Sequence, residues 1–198
     1  MTGPEQEPGL PEQALSPEGE PRLTPRIYVA SLSDYNAGRL HGEWIDASQE
    51  LEQVEQSVQN MLARSPSSGA EEYAIHDHEG FGPLHLDEYL PLRVVARLAA
   101  GISEHGLAYA YWAHGLDSIH LDDDYLDRFE EFYVGTFDSV TEFAQEQLDS
   151  WGIDLDEIGP EGLRPYIRFD MEAYARDLSY DYRVQTDAEG RVHVFNVE

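Results

Sequence analysis

The sequence contains no lysine and no cysteine. Its twelve basic residues are all arginine and face forty acidic ones, for a formal net charge of −28 over 198 residues. Without cysteine there is neither a disulfide nor a thiolate nucleophile. Without lysine there is no G-x-x-x-x-G-K-[ST] phosphate loop. No apolar run approaches the 18 residues that a membrane-spanning helix needs. The first residues carry neither a basic nor an apolar stretch, so no secretory signal is read and the cytoplasm is the expected compartment. The charge sign also disfavours direct binding to nucleic acid.

Hydrophobic residues make up 41% of the chain and aromatic residues 11%, including twelve Tyr. That is enough apolar material for a core and argues against wholesale disorder. A compact domain with so much charge of one sign repels itself, and it attracts cationic partners. The largest cationic surfaces in a cell are those that hold nucleic acid. Salt adaptation gives a similar composition and is the main alternative source of the charge. The aromatic content and the uneven placement of the charge speak against it.

Residues 1–25 hold six Pro, five Glu and Arg22, with few large apolar groups. Such a composition does not offset its ordering entropy and predicts a disordered tail. The remainder carries −24. The predicted fold is α+β, in three small units at 26–89, 90–130 and 131–198. The first has strands at Arg26–Ser31, Gly42–Asp46 and Glu72–His76, with a helix from about Leu51 to Arg64 capped by Ser48. Residues 35–40 read as a loop. The middle is helical, at Leu92–Ile102 and Leu107–His114 with Gly106 between them, and again from Asp122 to Tyr133. The last unit has a helix from Ser139 to Ser150, where Ser139 with Glu142 forms a capping-box pattern. Asp170 is read as the cap of a further helix to about Leu178. Two strands, Tyr182–Thr186 and Val192–Val197, are joined by a Gly190 turn.

The window from Leu121 to Glu161 holds fourteen acids against Arg128 alone, a net of −13. The acids expected to meet a cationic partner are Asp122, Asp123, Asp124, Asp127, Glu131, Glu142, Glu146, Asp149, Asp154, Asp156 and Glu157. Glu142, Glu146 and Asp149 repeat at i, i+4, i+7, opposite Val140, Phe143, Ala144, Leu148 and Trp151. Asp124, Asp127 and Glu131 form a second predicted stripe. Like charges at this spacing cost a helix a few tenths of a kcal/mol per pair, and no basic residue stands at the compensating positions. By charge density, −24 equals roughly 40 Å of duplex, about 12 base pairs.

Chemistry finds little support. His76-Asp77-His78-Glu79 is the one close cluster of metal-ligating types. On a strand His76 and His78 would share a face and could chelate, but no third ligand stands at a diagnostic spacing. A metal-binding or hydrolytic protein centred on them is the alternative reading. Asp122-Asp123-Asp124 fails the calcium-loop pattern, which needs Gly where Asp127 stands. No G-x-S-x-G elbow is present. No catalytic residue, metal site or cofactor is expected.

Several ordered motifs carry a resemblance. They are Ile27-Tyr28-Val29-Ala30 with Tyr35-Asn36 and Gly38; Gly42-Glu43-Trp44-Ile45-Asp46; and Glu71-Glu72-Tyr73-Ala74-Ile75-His76-Asp77 with Glu79-Gly80-Phe81. Tyr133-Val134-Gly135-Thr136-Phe137-Asp138-Ser139 and Phe169-Asp170-Met171-Glu172-Ala173-Tyr174-Ala175-Arg176-Asp177-Leu178 complete the set. From Ile27 to about Val197 the chain resembles the ArdA antirestriction family. The resemblance implies a non-enzymatic DNA mimic: an elongated homodimer of three small units that occupies the DNA site of type I restriction-modification enzymes and protects incoming mobile DNA. It also implies a dimer contact within about 129–143, at Phe129, Phe132, Tyr133, Gly135, Ser139 and Phe143. The Pro/Glu-rich tail departs from the family pattern.

Overall fold

The computed structural model describes residues 23–116, 121 and 124–197. Residues 1–22 of the predicted disordered tail, and the acids Asp122 and Asp123, lie outside the described residues; the end of that stretch is ordered, with Pro25 buried and its carbonyl accepting from Ala47 N at 3.0 Å. The fold is α+β. Among the described residues there are six α-helices, short 3-10 turns and two antiparallel three-stranded sheets. The chain divides into two compact units. One runs to Gly82 and resumes over Leu86–Gly106; the other holds Pro83–His85 and the chain from Leu107 onward.

The first sheet has the order β2-β1-β3, with β1 at Arg26–Ser31, β2 at Gly42–Asp46 and β3 at Tyr73–Glu79. Ile27, Val29, Ile45 and Ile75 are buried on one face. Helix α2 (Leu51–Ala63) packs there through Val54, Val58, Met61 and Leu62, whose 4-3-1 spacing makes one apolar stripe. Its N-cap is Glu50 rather than Ser48. The Ser48 hydroxyl instead donates to Asp46 Oδ1 at 2.6 Å and closes the preceding turn. β3 runs three residues past its predicted end, carried by a bulge opposite Tyr28 and Val29.

A five-residue helix, α1 (Leu32–Asn36), stands where the beginning of a loop was expected. Ser31 caps it by accepting from the Asp34 amide at 3.4 Å. Helix α3 (Leu92–His114) contains the predicted break. Gly106 sits at φ 67°, ψ −148°, a conformation that glycine adopts without a Cβ clash, so the segment is two helices.

The second sheet has the order β4-β6-β5, from Tyr133–Phe137, Val192–Asn196 and Tyr182–Thr186. Here β4 corrects the sequence reading, which ran a helix through Tyr133 and found two strands. Asp124–Arg128 is a 3-10 turn, Phe129–Phe132 is a single α-turn (α4), and the chain then extends. Tyr125, Phe129, Phe132 and Tyr133 recur every three to four residues and mimic a helical stripe. Val134, Thr136 and Phe137, β-branched or aromatic, suit the strand that pairs with β6.

Helices α5 (Val140–Ser150) and α6 (Met171–Leu178) cover this sheet. Phe143, Ala144, Ala175, Leu178, Val192 and Val194 make the buried cluster. Ser139 and Asp170 cap the two helices, accepting from Glu142 N at 3.1 Å and Ala173 N at 2.9 Å. The Glu142 carboxylate reaches back one residue further than a capping box requires, to the Asp138 amide.

Candidate partner-binding surface

Twelve acids of the 121–161 window are described, and every one is exposed. On α5, Glu142, Glu146 and Asp149 line the solvent side while Phe143, Ala144 and Leu148 are buried. Helical periodicity therefore separates charge from core as the spacing predicts. Trp151 departs from that pattern. It lies past the last turn of α5 and is exposed instead of joining the apolar face.

Asp124 and Asp127 project from a 3-10 turn and Glu131 from α4, so they do not share one continuous α-helical stripe. Three residues complete a 3-10 turn, which still places Asp124 above Asp127. Arg128, the sole base of the window, is occupied, and contrary to the expectation from spacing it does stand at a compensating position, three residues before Glu131. Its guanidinium lies 4.9 Å from the Tyr125 ring centroid and 5.0 Å from that of Phe132, and its Nε donates to Glu131 at 2.9 Å. Asp154 caps a 3-10 turn at Leu155–Glu157 by accepting from Asp156 N at 2.9 Å. Gln145, Asp149, Gly152, Ile153, Asp154, Leu155 and Asp156 line a shallow open groove beside α5.

The residues of the implied dimer motif fall into two classes. Phe129, Phe132 and Phe143 are buried within their own unit. Tyr133 and Gly135 are half-buried on β4, an edge strand, and Ser139 is exposed as the α5 cap.

Two acids that charge counting could not separate from the rest are buried. Asp34 accepts from the Ser65 hydroxyl, from Ser67 Oγ at 2.7 Å and from Arg39 Nε at 3.2 Å. Burial pushes its carboxyl up, but the Ser65, Ser67, Ser31 and Arg39 hydrogen bonds outweigh this and hold it well below the usual carboxylate range. Asp187 accepts from Arg191 N at 2.8 Å and Arg191 Nε at 2.9 Å, and His193 Nε2 stands 3.4 Å away. Burial raises the Asp187 carboxyl. The Arg191 amide and guanidinium, with His193, hold it below its ordinary value. His193 Nδ1 lies 2.8 Å from Thr136 Oγ1, which lies 2.9 Å from the Tyr133 hydroxyl. This chain of contacts fixes β4 to the β5–β6 turn. Both carboxylates are structural, and neither belongs to the exposed acidic surface.

His76 and His78 rest on different rings. His76 lies edge-on to Tyr35 at 4.8 Å and His78 edge-on to Phe81 at 6.0 Å. No group of three or more His, Asp or Glu among the described residues could hold a metal ion. No helix among them is long and apolar enough to cross a membrane. The site is therefore an extended field of exposed carboxylates. Such a field presents negative charge to solvent and attracts cationic groups.

The family model described as Antirestriction protein (ArdA) matches residues 27–193. No curated protein matches the chain.

Proposed function

We propose, from the premise that this chain belongs to the ArdA antirestriction family, how its own residues carry the family's action. Members act by DNA mimicry against type I restriction enzymes and are non-enzymatic inhibitors, and this chain is one. Our reading concerns which groups stand in for DNA. The exposed acids of the 121–161 window replace phosphates: Asp124, Asp127, Glu131, Glu142, Glu146, Asp149, Asp154, Asp156 and Glu157, with Asp122 and Asp123 beside them in sequence. The observation that carries the reading is that all twelve described acids of this window are exposed, while its one arginine is tied to an acid and two rings.

Inhibition needs no bond to form or break. A channel lined with arginine and lysine gains the same Coulomb energy from carboxylates as from phosphates at similar spacing. Occupation of the channel excludes the duplex sterically and protects incoming mobile DNA. The protein acts where that DNA meets the enzyme, in the cytoplasm.

The working form in this reading is a homodimer, which doubles the length of duplex imitated. β4 is the contact we assign to it. Among the described residues it pairs only with β6, on one side, and Val134 is exposed on it. An edge strand with an unpaired side is a template for a second strand. Phe129, Phe132 and Phe143 support that strand from inside the unit. Sedimentation of the purified chain tests the dimer. Cleavage of an unmodified duplex by a purified type I enzyme, with and without the protein, tests the inhibition. Undiminished cleavage at saturating protein contradicts the reading.

A further inference from the structure

The first sheet turns one face to α2 and the other to solvent. Register places Arg26 between Asp46 and Glu79, and Tyr28 between Trp44 and Asp77. Directly opposed residues on antiparallel strands project to the same side with Cβ atoms about 5 Å apart. The solvent face therefore groups one aromatic pair with three carboxylates. The Tyr28 and Trp44 rings meet edge-on at 5.6 Å, and Trp44 is 38% exposed. Asp46, Asp77 and Glu79 are all exposed. Asp46 and Asp77 use Oδ1 for bonds within their own loop or strand, which leaves Oδ2 of each as an acceptor.

Arg26 shows what this face accepts. Its guanidinium lies 4.8 Å from the Trp44 ring centroid, and its Nε and Nη2 donate to Glu79 Oε2 at 2.8 and 2.5 Å. The face thus holds one arginine by stacking on a ring and bonding a carboxylate, which is how a planar cation is recognised.

We propose that this outer face is a second docking surface, for arginine side chains of the enzyme's DNA-binding surface, in which Trp44 and Tyr28 take the place of a stacked base and Asp46, Asp77 and Glu79 the place of flanking phosphates. The proposal rests on the DNA-mimic reading and goes beyond it in assigning an aromatic element to the mimicry, where charge alone was considered. Charge complementarity selects the occupant. A second copy would bring the same acids, and residues 1–22 bring five Glu against one Arg. Arg26 already covers part of the ring, so it competes with the incoming arginine.

The test measures the affinity of the full-length protein for a purified type I enzyme by displacement of a labelled duplex. Trp44→Ala and Trp44→Leu are each expected to weaken binding between about threefold and thirtyfold, the range of an exposed to a desolvated cation–π contact. The double variant Asp46→Asn/Asp77→Asn leaves the ring in place and is expected to weaken binding about fivefold. Arg26→Gln is expected to tighten binding beyond the charge-matched control Arg176→Gln, whose arginine lies on the exposed side of α6. Thermal unfolding of each variant establishes that it is folded. Folded variants of Trp44 that bind as wild type overturn the proposal and leave the mimic reading standing. So does an Arg26→Gln that does no more than Arg176→Gln. A Trp44→Ala variant that changes the sedimentation coefficient gives the face to a second copy and also overturns it. A wild-type protein that fails to displace the duplex overturns the mimic reading itself.

Discussion

Replacing Glu146, Asp149, Asp154, Asp156 and Glu157 with their amides tests distributed charge against a few essential contacts. All five are exposed and lie on α5 or the turn that follows it. An exposed ion pair contributes about 0.5 kcal/mol, a factor of two to three in affinity. Five lost together amount to about 2.5 kcal/mol, on the order of seventyfold. The fold is expected to respond in the opposite direction. Glu146 stands one turn from Glu142, so its neutralisation relieves a repulsion worth a few tenths of a kcal/mol. Asp149 lies in the last turn of α5, where a negative charge opposes the helix dipole, and Asn there removes that penalty. Asn at position 154 still caps its turn. The melting temperature should therefore hold or rise while inhibition falls. The assay pairs calorimetry with inhibition of duplex cleavage, alongside each single variant. A fivefold variant that inhibits within about threefold of wild type refutes the reasoning. A single amide substitution that abolishes inhibition refutes it from the other side.

Raising salt from 50 to 200 mM should weaken association with the enzyme by on the order of tenfold or more, since a charge-matched interface is screened; a flat response measured by fluorescence anisotropy would indicate a mainly apolar contact. Phe143→Ala should cost about 3–5 kcal/mol of stability through loss of packing in the second core, read as a lower melting temperature by calorimetry. For Asp34, the depressed carboxyl pKa means that the folded state binds fewer protons than the unfolded one. Its contribution is present above the unfolded value near 3.8 and is lost as pH falls from there toward the folded value. Asp34→Asn should lower the melting temperature at pH 7 and flatten the loss of stability below pH 4, as followed by circular dichroism. Val134→Lys, on the edge strand, should shift sedimentation from dimer to monomer without lowering the melting temperature of the protomer.

Much of this architecture could be read from local pattern. β1, β2, β5 and β6 carry β-branched and aromatic runs, α2 and α5 carry apolar stripes, and Gly106 breaks α3 where expected. Ser139 and Asp170 announced their helices through cap chemistry. The segment from Asp124 to Phe137 was misread because its aromatics satisfy a helical repeat, while their real partners are distant in sequence. Trp112, for example, stacks on Tyr125 at 5.8 Å. Such contacts decide between a helix and a turn followed by a strand, and local spacing does not contain them. A Ser-x-x-Asp cap at Ser31 and Asp34 was the available signal for α1.

The candidate surface was legible for a simpler reason. Carboxylates are rarely buried, so counting acids comes close to mapping exposed charge. Asp34 and Asp187 are the exceptions. Asp34 depends on hydroxyl donors from another loop, Ser65 and Ser67, and Asp187 on Arg191 at the far end of its own turn. The pairing of Trp44 with Tyr28 and Arg26 likewise needed strand register, which no single segment encodes.

The central claim is that this protein and DNA compete for one site on a type I enzyme. The most direct measurement titrates the protein into a purified enzyme holding a labelled duplex, at several duplex concentrations. The account predicts that all duplex is displaced, and that the protein needed for half displacement rises in proportion to the duplex present. A complex containing enzyme, duplex and this protein together, or a midpoint independent of duplex concentration, would contradict it.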